Sequence, residues 1–539
     1  MPRFAGVAAN RPPLRLGGIH VRKPRDILGR ARNHERMDLD DNACYRAIAT
    51  RDRRFDGRLF IAVKTTGVYC RPVCPARTPK RENVRFFASA AAAQEAGFRP
   101  CLRCRPETSP DLGAWRGTSN TVSRALALIE AGGLDETGVE ALGERLGVGE
   151  RQLRRLFKQH LGASPIAVAQ TRRVLLAKQL IHDTQLPMAE VALAAGFGSV
   201  RRFNETFQAL YGRPPSELRR SRRVEASATA AGELTLRLPY RAPYDWDAIL
   251  AFLAARAIPG VESVRDGVYA RTVHLDGAAG AIFVSRADRA FLRATVRFPR
   301  LASLPAIIAR IRRVFDLAAD PSVIGAHLSE DELLAPLVAS RPGLRVPGAW
   351  DGFELAIRAI LGQQITVSAA RGLAAKLVAA AGTRLEDARA NAAQLTHLFP
   401  SAARLAQADL TGLGMPRARI QALQSLAQAH LDDPDLFGPR RDLDSAIERL
   451  CALRGIGEWT AHYIAMRELR ESDAFPVGDV ALLRAMTNLY GARMTPQQML
   501  KRAERWRPWR AYATIHLWAS LADATTHRTS TPHERRRAA

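Results

Sequence analysis

Along this chain the spacing of apolar positions changes several times. Over 119–220 apolar residues return every three or four positions, the period of helices laid on a core. Two stretches in that span follow one plan. Val139-Glu-Ala-Leu-Gly-Glu-Arg-Leu-Gly-Val leads into Gly149-Glu-Arg-Gln-Leu-Arg-Arg-Leu-Phe-Lys. Met188-Ala-Glu-Val-Ala-Leu-Ala-Ala-Gly-Phe leads into Ser199-Val-Arg-Arg-Phe-Asn-Glu-Thr-Phe. Each is a short apolar helix, a turn with a permissive glycine (Gly147, Gly196) and a basic helix. That is the helix-turn-helix plan, with a second helix sized for the major groove. The second copy weighs against an ordinary basic helical domain.

From 233 the pattern alternates. Strands are predicted at Glu233–Leu238, Val268–Leu275, Ala281–Ser285 and Ala290–Phe298, with helices at Asp245–Ala257 and Leu301–Phe315. Beyond about Trp350 it becomes nearly all helical. Leu453-Arg-Gly-Ile-Gly-Glu-Trp-Thr reads as helix, Gly-x-Gly hairpin, helix. Glycines at 455 and 457 let backbone N–H groups approach a phosphate, and the following helix start favours the anion. Leu410-Thr-Gly-Leu-Gly looks the same, so the hairpin alone is a weak signal. Phe475-Pro-Val-Gly-Asp479, about twenty residues downstream, supplies the context.

Composition agrees with a nucleic-acid partner. The 539 residues carry 80 Lys and Arg against 53 Asp and Glu, a net charge of +27. Arginine-favouring codon bias supplies part of that excess. The length allows about three to four domains. Residues 1–36 are Arg-rich with Pro12, Pro13 and Pro24, and read as a disordered leader. Either translation starts at Met37 or the leader is a basic DNA-binding arm. Linkers are expected over 109–118 and 221–232, and a flexible tail over 525–539. No apolar run is long enough to span a membrane. The expected setting is the bacterial cytoplasm, at the nucleoid.

Four cysteines carry the densest signal. Cys70 and Cys74 are spaced C-x3-C, and Cys101 and Cys104 C-x2-C, a set suited to one tetrahedral Zn²⁺. Disulfides are disfavoured without a secretory signal. Arg71, Arg77, Lys80, Arg81, Arg85, Arg99, Arg103 and Arg105 surround the cysteines in sequence, which suits a zinc–thiolate site set against phosphates.

The stretch 38–108, with Thr65-Thr-Gly-Val-Tyr-Cys-Arg-Pro, Pro75-Ala-Arg, Arg81-Glu-Asn-Val and Ala96-Gly-Phe-Arg-Pro-Cys, resembles the N-terminal domain of Ada-type DNA-repair proteins. The resemblance implies that Cys70, also a zinc ligand, accepts a methyl group from a DNA methylphosphotriester. Ala194-Ala-Gly-Phe-Gly-Ser-Val-Arg-Arg-Phe-Asn resembles AraC-type regulators. It implies recognition helices at Gly149–His160 and Ser199–Tyr211. Arg151, Gln152, Arg154, Arg155, Arg201, Arg202 and Asn204 are then candidate DNA contacts, with promoter DNA and RNA polymerase as partners.

The C-terminal half resembles AlkA-type 3-methyladenine DNA glycosylases of the helix-hairpin-helix superfamily. Pro243-Tyr-Asp-Trp, Phe252-Leu-Ala-Ala-Arg-Ala, Arg341-Pro-Gly-Leu-Arg, Arg358-Ala-Ile-Leu-Gly-Gln, Leu413-Gly-Met-Pro and Ala503-Glu-Arg-Trp carry that resemblance. It implies Asp479 as the catalytic carboxylate and Trp459, Tyr463 and Trp518 as the base pocket. It also implies DNA contacts at Gly455, Gly457, Thr460 and Gln364. Trp459 stands where bifunctional relatives have a lysine, so excision without strand cleavage is expected. Asp479 also reads as a helix N-cap, and Trp506 and Trp509 as core. The residue that fills the gap left by a flipped base is Gln364 or Ile365. A monovalent cation at the hairpin is expected, and no organic cofactor.

The predicted architecture is multidomain α+β. It comprises a small zinc-bound α/β domain (37–108), an all-α double helix-turn-helix domain (119–220), an α+β domain (233–345) and an all-α helix-hairpin-helix domain (346–524). The expected activity is repair of alkylated double-stranded DNA joined to transcription activation. Two rivals stay open: an inactive glycosylase half, and an N-terminal half that targets DNA without regulating.

Overall fold

A computed structural model describes residues 40–110, 120–135, 137–220, 233–288 and 290–530. The leader over 1–36, the 221–232 linker and most of the 109–118 linker lie outside the described residues.

The first layer is a small sheet built from short apolar runs. Its order is Val84–Phe87, Phe60–Val63, Val68–Cys70, Arg99–Pro100. The last pairing is parallel and the others antiparallel. Phe60, Tyr69, Ala93 and Phe98 fill one face, under the helix Ala90–Glu95 that Ser89 caps.

The two helix-turn-helix units flank a 19-residue helix, Pro165–Asp183. The expected recognition helices form at Glu150–Leu161 and Val200–Tyr211. Their burial patterns match: Leu153 and Phe157 in one, Phe203 and Phe207 in the other, are fully buried. The repeat in sequence is thus a repeat in packing. Gly196 has φ +84°, and a Cβ there would lie 2.4 Å from the Asp135 carboxylate, so the turn excludes a larger residue.

All four predicted strands of the next domain form, at Glu233–Pro239, Val268–Leu275, Ala278–Arg286 and Phe291–Arg297. They join a five-stranded antiparallel sheet, whose fifth strand is Glu262–Arg265. That strand was not predicted, because Glu-Ser-Val-Arg shows no apolar alternation. The helices Trp246–Arg256 and Leu304–Val314 cover the sheet. Its core continues into the second helix-turn-helix unit: Ile181, Val191 and Phe203 belong to the same buried cluster as Leu236, Val284 and Ile311.

Beyond Trp350 the chain is helical, apart from a two-residue ribbon, Thr383–Arg384 with His397–Leu398. The tail expected from 525 begins instead as helix, since Arg510–Ser530 is continuous. No Gly or Pro interrupts that sequence before Pro532. Among the described residues no helix is long and apolar enough to cross a membrane.

The described residues from Asp41 onward pack as one unit, and ion pairs mark its seams. Lys178 meets Glu107 at 2.6 Å with both side chains buried, and also donates to the Cys101 carbonyl at 2.9 Å. Arg124, from the first helix of the helix-turn-helix region, donates through Nε to Glu471 at 2.8 Å and through a second nitrogen to the Arg441 carbonyl at 2.5 Å. Burial pushes the Glu471 carboxyl above its usual range, and Arg124 opposes the shift. Removing one partner of such a pair leaves an uncompensated buried charge, at a cost of about 3–5 kcal/mol. Arg124→Met is therefore expected to lower the melting temperature and speed limited proteolysis between the two regions. Adding Glu471→Leu should recover most of the loss.

Candidate active site and metal centre

Asp479 ends a tight turn. Gly478 has φ +83°, and the Asp479 N–H donates to the Pro476 carbonyl at 3.2 Å. It is indeed the N-cap of helix Val480–Tyr490: its Oδ1 accepts the Leu482 N–H at 2.7 Å. The same carboxylate does more. Oδ2 accepts the Trp459 indole N–H at 2.9 Å, and Oδ1 accepts that of Trp518 at 3.2 Å. Three N–H groups from three helices converge on it.

The carboxylate lines a cavity of about 550 Å³ together with Trp459, Tyr463 and Trp518. Trp459 and Tyr463, four apart on helix Glu458–Arg467, stack with centroids 5.3 Å apart and planes at 9°. Trp518 tilts against Tyr463 at 6.4 Å and 50°. Such a slot suits a flat, electron-poor ring. Trp506 and Trp509 are core, as expected, and the Trp506 N–H donates to Asp331 at 2.9 Å.

The hairpin takes the expected form between helices Leu443–Cys451 and Glu458–Arg467. Gly455 has φ +85°, and a Cβ there would meet that of Ala422 at 2.6 Å. Gly457 is the N-cap and offers no side-chain cap, which leaves the first-turn N–H groups for an external acceptor. Thr460 lies in the first turn of the helix after the hairpin. It is buried, facing Gln363 rather than outward, so it has only a backbone N–H in the first turn to offer DNA. Gln363 also donates to the Gly455 carbonyl at 2.8 Å, which ties its own turn to the hairpin. Next to it Gln364, exposed at φ +61°, stands on that turn, and Ile365 lines the cavity mouth.

In the metal centre, the parallel pairing of Tyr69 with Pro100 sets Cys70 beside Cys101. The four sulfurs lie within 4.8 Å of one another. Backbone N–H groups of Arg71 and Arg103 point at Cys104 Sγ and Cys101 Sγ, both at 3.4 Å, the donors a thiolate accepts. Four thiols without a competing disulfide fit one Zn²⁺. Cys101 and Cys104 are buried, whereas Cys70 and Cys74 are half-exposed. The surrounding basic residues divide. Arg71 turns inward to Asp56 and Thr108, and Arg105 to Glu107 and Asp183, so neither presents a free charge to a phosphate. Arg77, Lys80, Arg85 and Arg103 remain exposed.

On the recognition helices Arg151, Gln152, Arg154, Arg155, Arg201, Arg202 and Asn204 are all exposed. Arg154 and Arg201 rest on Glu150 and Glu205, one turn away.

Comparison with known proteins follows the same order along the chain. Family models match the metal-binding domain of Ada at 43–107 and a helix-turn-helix domain at 142–221. The AlkA N-terminal domain matches at 235–351, and the HhH-GPD superfamily of base-excision DNA repair proteins at 357–511. A probable bifunctional transcriptional activator/DNA repair enzyme AlkA of Mycobacterium tuberculosis is 43% identical over 487 residues, covering 90% of this chain and 97% of that protein. The chain belongs to that AlkA family. The Escherichia coli DNA-3-methyladenine glycosylase 2 is 37% identical over 288 residues, covering 52% of this chain and 95% of its own. The bifunctional transcriptional activator/DNA repair enzyme Ada of Escherichia coli is 40% identical over 161 residues, covering 30% of this chain and 43% of that protein. This AlkA-family chain therefore combines Ada-type regulatory domains with an AlkA-type glycosylase that acts on DNA.

Sequence reasoning missed Gln363, whose role depends on a contact 92 residues away. It also missed His462. That ring sits between the pocket residues Trp459 and Tyr463 in sequence, and its Nδ1 accepts the Phe475 N–H at 3.3 Å at the start of the Asp479 turn. Burial, with Arg510 nearby, lowers its pKa from 6.5 to about 4. The unfolded chain therefore binds the extra proton first, and stability falls as pH drops from 6.5 toward 4. The expected loss is about 1.4 kcal/mol per pH unit at most. Buried His516, also lowered to about 4, contributes over the same interval, so thermal unfolding should show the summed slope and His462→Asn should remove only its own share.

Proposed function

We propose that the C-terminal half hydrolyses the N-glycosidic bond of alkylated purines such as 3-methyladenine, leaving an abasic site in an intact strand. The observation that carries this reading is the Asp479 carboxylate, held by three N–H groups at the wall of an aromatic cavity. Breaking the bond places positive charge on the sugar. A fixed carboxylate stabilises that charge and orients the attacking water. Trp459, Tyr463 and Trp518 offer the cavity wall against which the flipped, cationic base stacks. The Gly455–Gly457 hairpin and Gln364 hold the DNA, and Gln364 or Ile365 occupies the vacated stack. A monovalent cation at the hairpin belongs to the same reading.

In the Ada-like domain, Cys70 Sγ attacks the methyl carbon of a methylphosphotriester. The S–C bond forms as the C–O bond breaks, and a phosphodiester anion leaves. Bound zinc keeps the thiolates deprotonated at neutral pH. The half-exposed position of Cys70 supports this role. Methylation removes about one negative charge and favours binding to phosphates. The helix-turn-helix units then engage promoter DNA through Arg151, Arg154, Arg201, Arg202 and Asn204, and RNA polymerase is the downstream partner. We place the domains at 37–108, 119–220, 233–345 and 346–524, and the protein in the bacterial cytoplasm.

Base release from methylated DNA tests the first half. In Asp479→Asn one oxygen can still accept Leu482 and Trp518, but the new amide faces the Trp459 N–H, donor against donor. Turnover is expected to fall about a hundredfold or more with little change in affinity for abasic-analogue DNA. Borohydride should trap no adduct with the wild type, because Trp459 offers no amine. Near-normal excision by Asp479→Asn would overturn the assignment. For the second half, mass spectrometry after exposure to methylphosphotriester DNA should find one added methyl on Cys70. A methyl on Cys74 instead would refute it.

A further inference from the structure

Two guanidinium groups behind the aromatic slot have carbonyls and rings as partners in place of a carboxylate, with Arg256 donating to the Phe252 carbonyl at 3.3 Å. Arg467, buried, donates to the Pro347 carbonyl at 2.8 Å, the Gly348 carbonyl at 3.2 Å and the Tyr463 oxygen. Arg256 lies with its guanidinium 3.7 Å from the Phe252 ring centroid, and its charge is felt at the Tyr463 oxygen. Among the described residues neither arginine forms an ion pair with a carboxylate. Of the other charges lining the cavity, Arg371 donates to the Ala257 carbonyl at 2.7 Å and the rest are paired. Arg271 meets Glu354 at 2.8 Å, Arg358 meets Glu262 and Glu354 at 2.5 Å each, and Asp351 meets Arg310 at 3.5 Å. Facing Tyr463 there remain Arg467 on its own helix, Arg256 on helix Trp246–Arg256, and Asp479 across the slot.

With a neutral phenol this group of charges is net positive, which opposes entry of a cationic base. A phenolate removes one unit of that excess. The Arg467 donor also leaves the Tyr463 oxygen as an acceptor, and among the described residues its O–H donates to no protein group. We infer that Tyr463, beside Arg256 and Arg467, sets the preference of the cavity for cationic over neutral bases by giving up its phenolic proton to solvent as the cationic base enters. The two arginines are positioning residues in this scheme, and Tyr463 is the specificity-determining group. The nearby cations do hold the phenol below its ordinary range, against the opposing effect of burial.

This inference rests on the glycosylase reading above, and two measurements separate their failures. The first is kcat/KM for release of 7-methylguanine, cationic in DNA, against hypoxanthine, a neutral purine, by wild type and Tyr463→Phe. The variant removes one oxygen and keeps the ring. The cationic-to-neutral ratio should fall about tenfold, whereas a packing defect would slow both substrates alike. The second is an ultraviolet difference titration of tyrosinate, wild type minus Tyr463→Phe, with no substrate present. Tyr463 should ionise below the other tyrosines, and Arg256→Met should move its titration upward. If Tyr463 titrates with the others or above them, the inference fails even when excision is normal. It fails too if the ratio is unchanged. If the wild type releases neither base, the glycosylase reading fails instead.

Discussion

The constraint on which the glycosylase half depends is the convergence of three N–H groups on the Asp479 carboxylate. Each donor comes from a different helix: Leu482 from the helix that Asp479 caps, Trp459 from the helix after the hairpin, and Trp518 from helix Arg510–Ser530. Carboxylate orientation and pocket shape are therefore one property. A rotation of either indole would release an oxygen of Asp479 and open the wall against which a base stacks. The catalytic role proposed for Asp479 needs placement to a fraction of an ångström, and this network supplies it from rigid elements. The hairpin is joined to the same frame, since Trp459 follows Gly457 by two residues and Gln363 clasps the Gly455 carbonyl.

A chain this basic must house arginines as well as display them. Many are buried at seams and satisfied by carbonyls. Arg345 donates to the carbonyls of Ala319 and Pro243, and Arg241 to that of Arg54. Others form ion pairs that join regions far apart in sequence, as in Arg124 with Glu471 and Lys178 with Glu107. Buried pairs add little net stability over an apolar contact, but a mismatched docking would strand their charges. They therefore define one arrangement of the regulatory and repair regions rather than merely strengthening it.

Features written in local pattern were legible from the sequence. The cysteine spacings, the doubled helix-turn-helix plan, the alternating strands near 270 and 290 and the Gly-x-Gly hairpin with its downstream Asp479 each depend on neighbours within about twenty residues. What escaped depends on distant partners. Whether Arg71 faces DNA or turns inward depends on Asp56, which its own motif does not contain. The burial of Thr460 comes from packing around it and the approach of Gln363, and the strand at Glu262–Arg265 exists because Val268–Leu275 offers it an edge. The indole–carboxylate bonds were hidden for the same reason. The aromatic positions were recognised as stacking surfaces, while their N–H groups became meaningful only once Asp479 lay 2.9 Å and 3.2 Å away.

The metal centre shows how burial ranks chemically equal groups. All four cysteines could bind zinc, but in the proposed methyl transfer a donor embedded in duplex DNA reaches only sulfurs at the surface. Cys101 and Cys104 are buried, and their sulfurs accept backbone N–H groups that lower nucleophilicity. Cys70 and Cys74 are half-exposed. Cys70 ends a strand clamped on both sides, antiparallel to Phe60–Val63 and parallel to Arg99–Pro100, whereas Cys74 sits in the turn beyond it. In-line attack on a methyl carbon needs a nucleophile whose direction is set before the substrate arrives. The sheet provides that rigidity at Cys70. Its neighbour Arg71 is also locked to Asp56, so under the proposed methyl transfer no local arginine is free to rearrange when the charge is lost.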